Sequence, residues 1–427
     1  MGQGLLSRIA ATVGTPVYVY DADVIRRQYA ALSAALAGVP HRVHYSVKAN
    51  ASLAVLRLLR GLGAAADIVS GGELARVLAA GFCGADIVFS GVGKNERELT
   101  AALAAGVGLV NLESDGEFEL LRRLARGRPS PAAVGIRVNP DVTTETHPYT
   151  QTGRAGMKFG VPMDQVPALA RRIAAERALV LVSVGMHIGS QIADPTPYRE
   201  GAARLQELVA ALRGDGINTL TSVDVGGGLG ISYGCGEGME VTRFASAVAP
   251  LARATGLPLL VEPGRFLVGN AGYLLTRVLY RKHSGGGRFV ITDAGMNDLL
   301  RPSLYQAYHE ITVVDAAEEA GRAEEAGGRT VASAPSASSA PVDVVGPNCE
   351  SGDFLALDRA LPGAGPGALL AVLGVGAYGF GMSFQYNSRP RAAEVLVDGG
   401  RYAVIRERET ADDLMRGERV DPDWRDA

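Results

Sequence analysis

Residues 43–91 read VHYSVKANASLAVLRLLRGLGAAADIVSGGELARVLAAGFCGADIVFSG. Three short apolar runs, VHYSVKA (43–49), AADIVS (65–70) and DIVFSG (86–91), enclose two Ala/Leu/Arg-rich stretches, SLAVLRLLRGLG and GELARVLAAG. The stretches carry apolar residues at i, i+3 and i+4 and close on glycine, which predicts helices. Strand, helix, strand, helix, strand is the rhythm of a parallel sheet with crossover helices. The rhythm continues downstream through LVNLES (109–114), AVGIRVN (133–139), LVSVGMHIG (181–189), SVDVGGG (222–228) and LLVEPG (259–264), with helical candidates NERELTAALAAG and YREGAARLQELVAALRGDG between. Eight strands, each followed by a helix, predict a closed (β/α)8 barrel over 24–272, whose functional groups belong at the C-terminal strand ends.

From residue 273 the texture changes to β-rich segments without regular helices: YLLTRVLYRK, RFVITDAG, HEITVVDA, PVDVVGP, ALLAVLGV, AEVLVDGG and RYAVIRER. A second, mostly antiparallel β domain built from 1–23 and 273–427 is expected. Within it, 315–341 is rich in Ala, Glu, Ser and Pro and is expected to be a flexible insertion.

Composition narrows the class of function. The chain has 427 residues, 47% hydrophobic and 20% charged, enough apolar material for a large core and too much for a disordered chain. Its 42 basic against 45 acidic residues leave a net charge of −3, so no basic excess drives it to nucleic acid or to acidic membranes. No run of 18 apolar residues and no signal-like start occurs, so no membrane span is expected. Cys83, Cys235 and Cys349 are odd in number and widely spaced, which fits neither a disulfide framework nor a zinc site and points to the cytoplasm. The 55 glycines are the one compositional excess.

The barrel reading gathers polar residues at one rim: Lys48 and Asn50 after the first strand, His187 and Ser190 after the sixth, Gly226, Gly227 and Gly228 after the seventh, and Glu262, Gly264 and Arg265 after the eighth. Burial behind Val47 would lower the Lys48 pKa and suit the amine to a Schiff base with an aldehyde. The glycines follow the strand where this barrel commonly holds phosphate, and their spacing does not meet the dinucleotide fingerprint. Glu262 could face a heterocycle, Arg265 an anionic group, and His187 could present its ring face. Lysine, phosphate-cradling glycines, a stacking histidine and a carboxylate together imply pyridoxal 5'-phosphate.

The segments HYSVKAN, DIVSGGELARVLAAG, MHIGSQI, DVGGGLGISY, EPGRFLVGNAG, DAGMNDLLRPSLYQAYHEI, VVGPNCESGDFL and GAYGFGMSFQYNSRPRAAEVLV occur in this order. Together they resemble the diaminopimelate decarboxylases, a family of the alanine-racemase-like group of pyridoxal phosphate enzymes, from about residue 15 to 410. The resemblance implies that Lys48 bears the cofactor and that His187 stacks on its ring. It implies that Ser190, Gly227, Gly228, Gly264, Arg265 and Tyr378 hold the phosphate, and that Glu262 keeps the ring nitrogen protonated. Arg265, Arg301, Tyr305, Glu350 and Tyr378 would bind substrate, and Cys349 would act in catalysis. Cys349 and Glu350 would come from the partner subunit of a homodimer with shared active sites. Asn348 and Phe384 depart from the family pattern and bear on substrate identity.

The implied reaction is decarboxylation of meso-2,6-diaminopimelate to L-lysine and CO2, with a small amino-acid substrate and no nucleic-acid or membrane partner. The alternatives are a related carboxylated diamine or conjugate as substrate and, from another class, a non-catalytic regulator. Intact Lys48, Glu262 and Cys349 speak against the regulator.

Overall fold

The structure is a computed structural model that describes residues 1–144, 153, 156–314 and 340–425. The chain divides into two compact units: Ala22–Ala271 with Gly376–Gly381, and Met1–Asp21 with Gly272–Val375 and Met382–Ala427.

The first unit is the barrel. Its strands are His41–Ser46, Ala65–Ile68, Ile87–Phe89, Leu109–Leu112, Ala132–Asn139, Leu179–Met186, Ser222–Asp224 and Leu259–Val261, numbered first to eighth below. Each pairs in parallel with its neighbours; the first lies between the second and the eighth, and the fourth meets the fifth through Val110↔Val134 and Leu112↔Ile136 to close the ring. A two-residue strand, Val161–Pro162, adds to the fifth. Strands covered on both faces have no solvated side, which is why they read as continuous apolar runs. The helices carry their own start signals: Ser70 accepts from the Glu73 N–H (3.2 Å), and Asn95 and Glu98 form a reciprocal capping box.

All but the fifth strand end two to four residues short of the sequence expectation, two of them for a local reason. The first ends at Ser46, and Val47–Ala49 form a 3-10 turn that carries Lys48. The seventh ends at Asp224, because Gly226 (φ +70°) and Gly228 (φ +98°) turn the backbone into the region that excludes extended chain.

The second unit holds a sheet in the order Phe354–Arg359, Val342–Val345, Gly287–Thr292, Gly272–Ser284, Val17–Asp21, Ala393–Asp398, Arg401–Arg406, with Leu369–Leu373 pairing to Gly272–Ser284 and Ile311–Val313. Pairings are antiparallel except Val17–Asp21 with Ala393–Asp398 and Gly287–Thr292 with Val342–Val345. The helix Gln3–Val13, the central strand Val17–Asp21 and the strand Phe354–Arg359 are additions to the sequence reading. Leu6 and Ile9 of that helix are buried against Val17, Val19, Leu275 and Val395, each burial contributing about 1.5–3 kcal/mol. Nearly all of 315–341, the expected flexible insertion, lies outside the described residues. Among the described residues no helix is long and apolar enough to cross a membrane.

Candidate active site

At the C-terminal end of the barrel, Lys48, Ser90, Asn111, Arg137, His187, Asp224 and Glu262 line one opening. Lys48 Nζ stands 3.8 Å from Asp67 Oδ2, with its side chain 34% exposed. The sequence expectation for this amine is corrected by its neighbours. Burial does pull its pKa down, but Asp67, Tyr378 and Glu262 outweigh burial and hold the ammonium above the ordinary lysine value. Asp67 itself is pushed up to about 6 by burial and by Glu262, against the pull of Lys48. Ser46 donates to Asp67 (2.7 Å), which fixes the carboxylate beside the lysine.

His187 Nδ1 accepts the Gly227 N–H at 3.2 Å. Burial, then Lys48 and Arg137, drive the ring well below its usual pKa, so it is neutral with its proton on Nε2. The 3.8 Å approach of Nδ1 to Glu262 Oε2 is therefore not an ion pair. Glu262 is buried at the end of the eighth strand, and the Glu262 N–H donates to the Gly226 carbonyl at 2.8 Å.

A second cluster surrounds Arg265, which opens the short helix Arg265–Val268 after the Gly264 turn. Arg265 is 8% exposed, donates to Ser190 Oγ (2.8 Å) and to the Tyr233 hydroxyl, and lies 4.8 Å from the Tyr378 ring centre. Tyr378 holds a left-handed backbone (φ +56°), and its N–H donates to the Ala49 carbonyl at 2.8 Å, tying it to the Lys48 turn. Arg265 Nε is buried without a hydrogen-bond partner, and no carboxylate pairs with this guanidinium among the described residues. A buried cation that meets only hydroxyls and a ring calls for an anion.

Glycine at 226–228 is demanded from the protein side. A Cβ on Gly226 would stand 2.4 Å from the Met186 carbonyl, one on Gly227 2.0 Å from the Glu262 carbonyl, and one on Gly228 2.3 Å from the Gly189 carbonyl. The sixth, seventh and eighth strand ends can close together only without side chains there.

Several residues of this mouth belong to none of the roles read from the sequence: Asp67, Arg137, Asp224, Gln191 and Tyr233. Asp67 and Asp224 had a readable signal, an acid inside an apolar strand run. Gln191 had none. Its side chain pairs with the Ile231 backbone in both directions, 2.6 Å to the carbonyl and 3.2 Å from the N–H, and so clamps the Ser190 loop to the glycine loop.

Arg301, Tyr305, Cys349 and Glu350 belong to the second unit. Arg301 is buried rather than a surface cation; it meets His309 Nε2 at 2.9 Å while His309 Nδ1 meets the Leu373 carbonyl at 2.8 Å. Cys349 is a free, exposed thiol, as are Cys83 and Cys235, and its N–H donates to Asn387 Oδ1 at 2.8 Å. Glu350 is exposed and accepts the Gly352 N–H at 3.2 Å. Asn348 has a local reason: its N–H donates to Asp353 at 2.6 Å and its amide to Asn297 at 2.7 Å. The Phe384 N–H donates to the Asn297 carbonyl at 2.9 Å, and its ring lies tilted against that of Tyr386, 6.4 Å between centres.

Residues 22–269 match the model of the pyridoxal-dependent decarboxylase, pyridoxal binding domain. The chain is 46% identical to a diaminopimelate decarboxylase of Pseudomonas aeruginosa over 417 residues, covering 98% of this chain and 96% of the relative. It is 42% identical to that of Aquifex aeolicus, over 96% and 93% of the two chains. The crystal structure of diaminopimelate decarboxylase from Helicobacter pylori complexed with L-lysine superposes with a TM-score of 0.88 at 38% identity, covering 96% of this chain and 98% of that one. With a barrel mouth that offers a lysine, a buried carboxylate and an uncompensated guanidinium, the chain belongs to the pyridoxal-dependent decarboxylases, within the diaminopimelate decarboxylase family.

Proposed function

We propose that this enzyme decarboxylates meso-2,6-diaminopimelate to L-lysine and CO2 with pyridoxal 5'-phosphate held at the barrel mouth. The observation that carries the reading is Arg265, a buried guanidinium without a carboxylate partner among the described residues, in a mouth that also presents Lys48 and Glu262. These donors fit the cofactor. Arg265, Ser190, Gly227, Gly228, Gly264 and Tyr378 would bind its phosphate, Lys48 would be the covalent attachment point, and Glu262 would meet the ring nitrogen. Bound there, pyridoxal phosphate supplies the electron sink for the charge left on the α-carbon as CO2 departs.

The protein's own residues orient and exchange protons. The Gly227 N–H fixes the neutral His187 ring, which offers a flat apolar face and no competing charge. Asp67 at 3.8 Å gives the Lys48 ammonium a place to rest whenever it is not attached. Arg301 supplies a planar fork for a distal carboxylate, and His309 sets its orientation. Tyr305, Arg265, Tyr378 and Glu350 complete substrate recognition, Glu350 meeting the distal ammonium. Cys349 donates a proton to the α-carbon. Cys349 and Glu350 act from the partner subunit of a homodimer, and the enzyme works in the cytoplasm.

The test is CO2 release from meso-diaminopimelate by the purified protein with pyridoxal phosphate, against ornithine, lysine and arginine. The expected result is turnover of diaminopimelate far above the three comparators. Rapid turnover of a comparator with none of diaminopimelate would overturn the substrate assignment and leave the cofactor assignment standing.

A further inference from the structure

The seventh barrel strand ends on Asp224, a carboxyl only 3% exposed that no step above uses. Its Oδ1 accepts the Gly226 N–H at 2.8 Å, and its strand register, opposite Leu260, sets it beside Glu262 two residues on, both carboxyl groups lining the same opening. Two buried carboxyl groups set side by side favour holding one proton between them, since a pair of carboxylates would offer two acceptors and no donor. Space for Asp224 is reserved by its cross-strand partner Gly185, where an added Cβ would stand 2.4 Å from Asp224 Cβ. Glycine inside a strand costs about 0.5–1 kcal/mol, which sets this position apart from an ordinary strand site.

We propose that Asp224 is a positioning residue: it keeps a proton on its carboxyl and donates it to Glu262, so that the pair presents one negative charge to the ring nitrogen of the cofactor. The inference rests on the reading that Glu262 faces that nitrogen. Five charged or titratable groups share the surroundings: Glu262 just past the eighth strand, Asp67 on the second, Arg137 on the fifth, Lys48 on the turn after the first and His187 after the sixth. Burial first, then Glu262, push Asp224 well above the usual carboxylate range, in agreement with the geometry. The chemical consequence concerns where a proton sits. A hydrogen bond from Asp224 would hold one oxygen of the Glu262 carboxylate, leaving the other aimed at the proton on the ring nitrogen. One carboxylate charge then matches one cationic ring, and a bare dianionic pair never has to be buried.

Asp224→Asn keeps an acceptor for the Gly226 N–H and a donor for Glu262, so it imitates the protonated acid. Asp224→Leu removes both. Each is compared with wild type, Gly185→Ala and Glu262→Gln by three readouts: cofactor dissociation constant, the pH dependence of the bound cofactor's visible absorbance without substrate, and kcat against KM. A melting curve of each apoprotein confirms folding. Asp224→Leu is expected to lose about 10–100-fold in kcat with KM nearly constant and to shift the absorbance titration, while Asp224→Asn restores most of both. Gly185→Ala, which displaces the carboxyl without removing it, falls between. Equal damage from Asn and Leu overturns the protonated assignment, because the charged form would then be required. Wild-type titration and kcat in Asp224→Leu or, where Leu does not fold, in Gly185→Ala overturn the role altogether. Glu262→Gln separates the two levels: if it leaves absorbance and kcat unchanged, the Glu262 reading itself fails; if it impairs both while the Asp224 variants do not, only the Asp224 assignment falls.

Discussion

Gly227→Ala tests the claim that the glycine run is required by packing between strand ends. A Cβ at this position would lie 2.0 Å from the Glu262 carbonyl oxygen and 2.9 Å from its carbon. Both atoms are backbone of the residue that follows the eighth strand, so no side-chain rotation relieves the contact, and one loop must retreat by about 1.4 Å to reach ordinary separation. Overpacking of this kind costs about 1–3 kcal/mol. The retreat also strains the Gly227 N–H to His187 bond at 3.2 Å and the Tyr198 hydroxyl to Gly227 carbonyl bond at 2.8 Å. Each is worth about 0.5–1.5 kcal/mol and is weakened by about half, so a total near 2–4 kcal/mol is expected. If half of that falls on the cofactor-binding state, cofactor affinity drops about 5–30-fold, since 1.4 kcal/mol is a factor of ten. The assay is fluorescence titration of apoprotein with pyridoxal phosphate, paired with thermal melting. Gly214→Ala is the control, because an added Cβ there meets nothing within 4 Å, and it is expected to be neutral or stabilising by up to about 1 kcal/mol. Wild-type cofactor affinity and melting in Gly227→Ala would refute the packing argument and return the glycine to an incidental turn.

Lys48→Ala is expected to abolish the visible absorbance of covalently held cofactor, and mixing it with Cys349→Ala protomers is expected to restore CO2 release through one competent shared site; failure to recover any activity on mixing counts against Cys349 acting across the dimer. Asp298, pushed up to about 7 chiefly by burial, binds its proton more tightly folded than unfolded, so its stabilisation is full below about pH 4 and fades as pH rises through 7. Asp298→Asn is therefore expected to flatten the fall in melting temperature over that window and to gain stability at pH 8; a curve still parallel to wild type would show another group responsible. Lys94, whose side chain is fully buried 2.8 Å from Glu117, is expected to cost about 3–5 kcal/mol as Lys94→Ala, read by chemical denaturation, because the carboxylate is left buried without its partner.

How much of this could be read in the chain depends on which interactions are local. The barrel was legible because its strands are buried on both faces, so a run such as LLVEPG announces both the strand and the polar group at its end. The same logic reached Lys48, His187, Glu262 and Arg265. The charge state of Lys48 was not legible, and the expectation of a lowered pKa was reversed. Its controlling neighbours, Asp67, Tyr378 and Glu262, come from separate segments that only the closed barrel brings together. In the second unit, the strand Val17–Asp21 looks like an isolated aromatic run in sequence, yet it lies between Gly272–Ser284 and Ala393–Asp398. No local period encodes such a long-range insertion. The glycine excess shows the same division most sharply. From sequence, Gly226 to Gly228 suggest open backbone for a phosphate to approach; in the structure each also faces a carbonyl oxygen of a neighbouring strand end at 2.0–2.4 Å from where a Cβ would sit. The two demands are one, because backbone stripped of side chains is what lets three strand ends converge, and their convergence sets His187, Glu262 and the Ser190 loop around a single mouth.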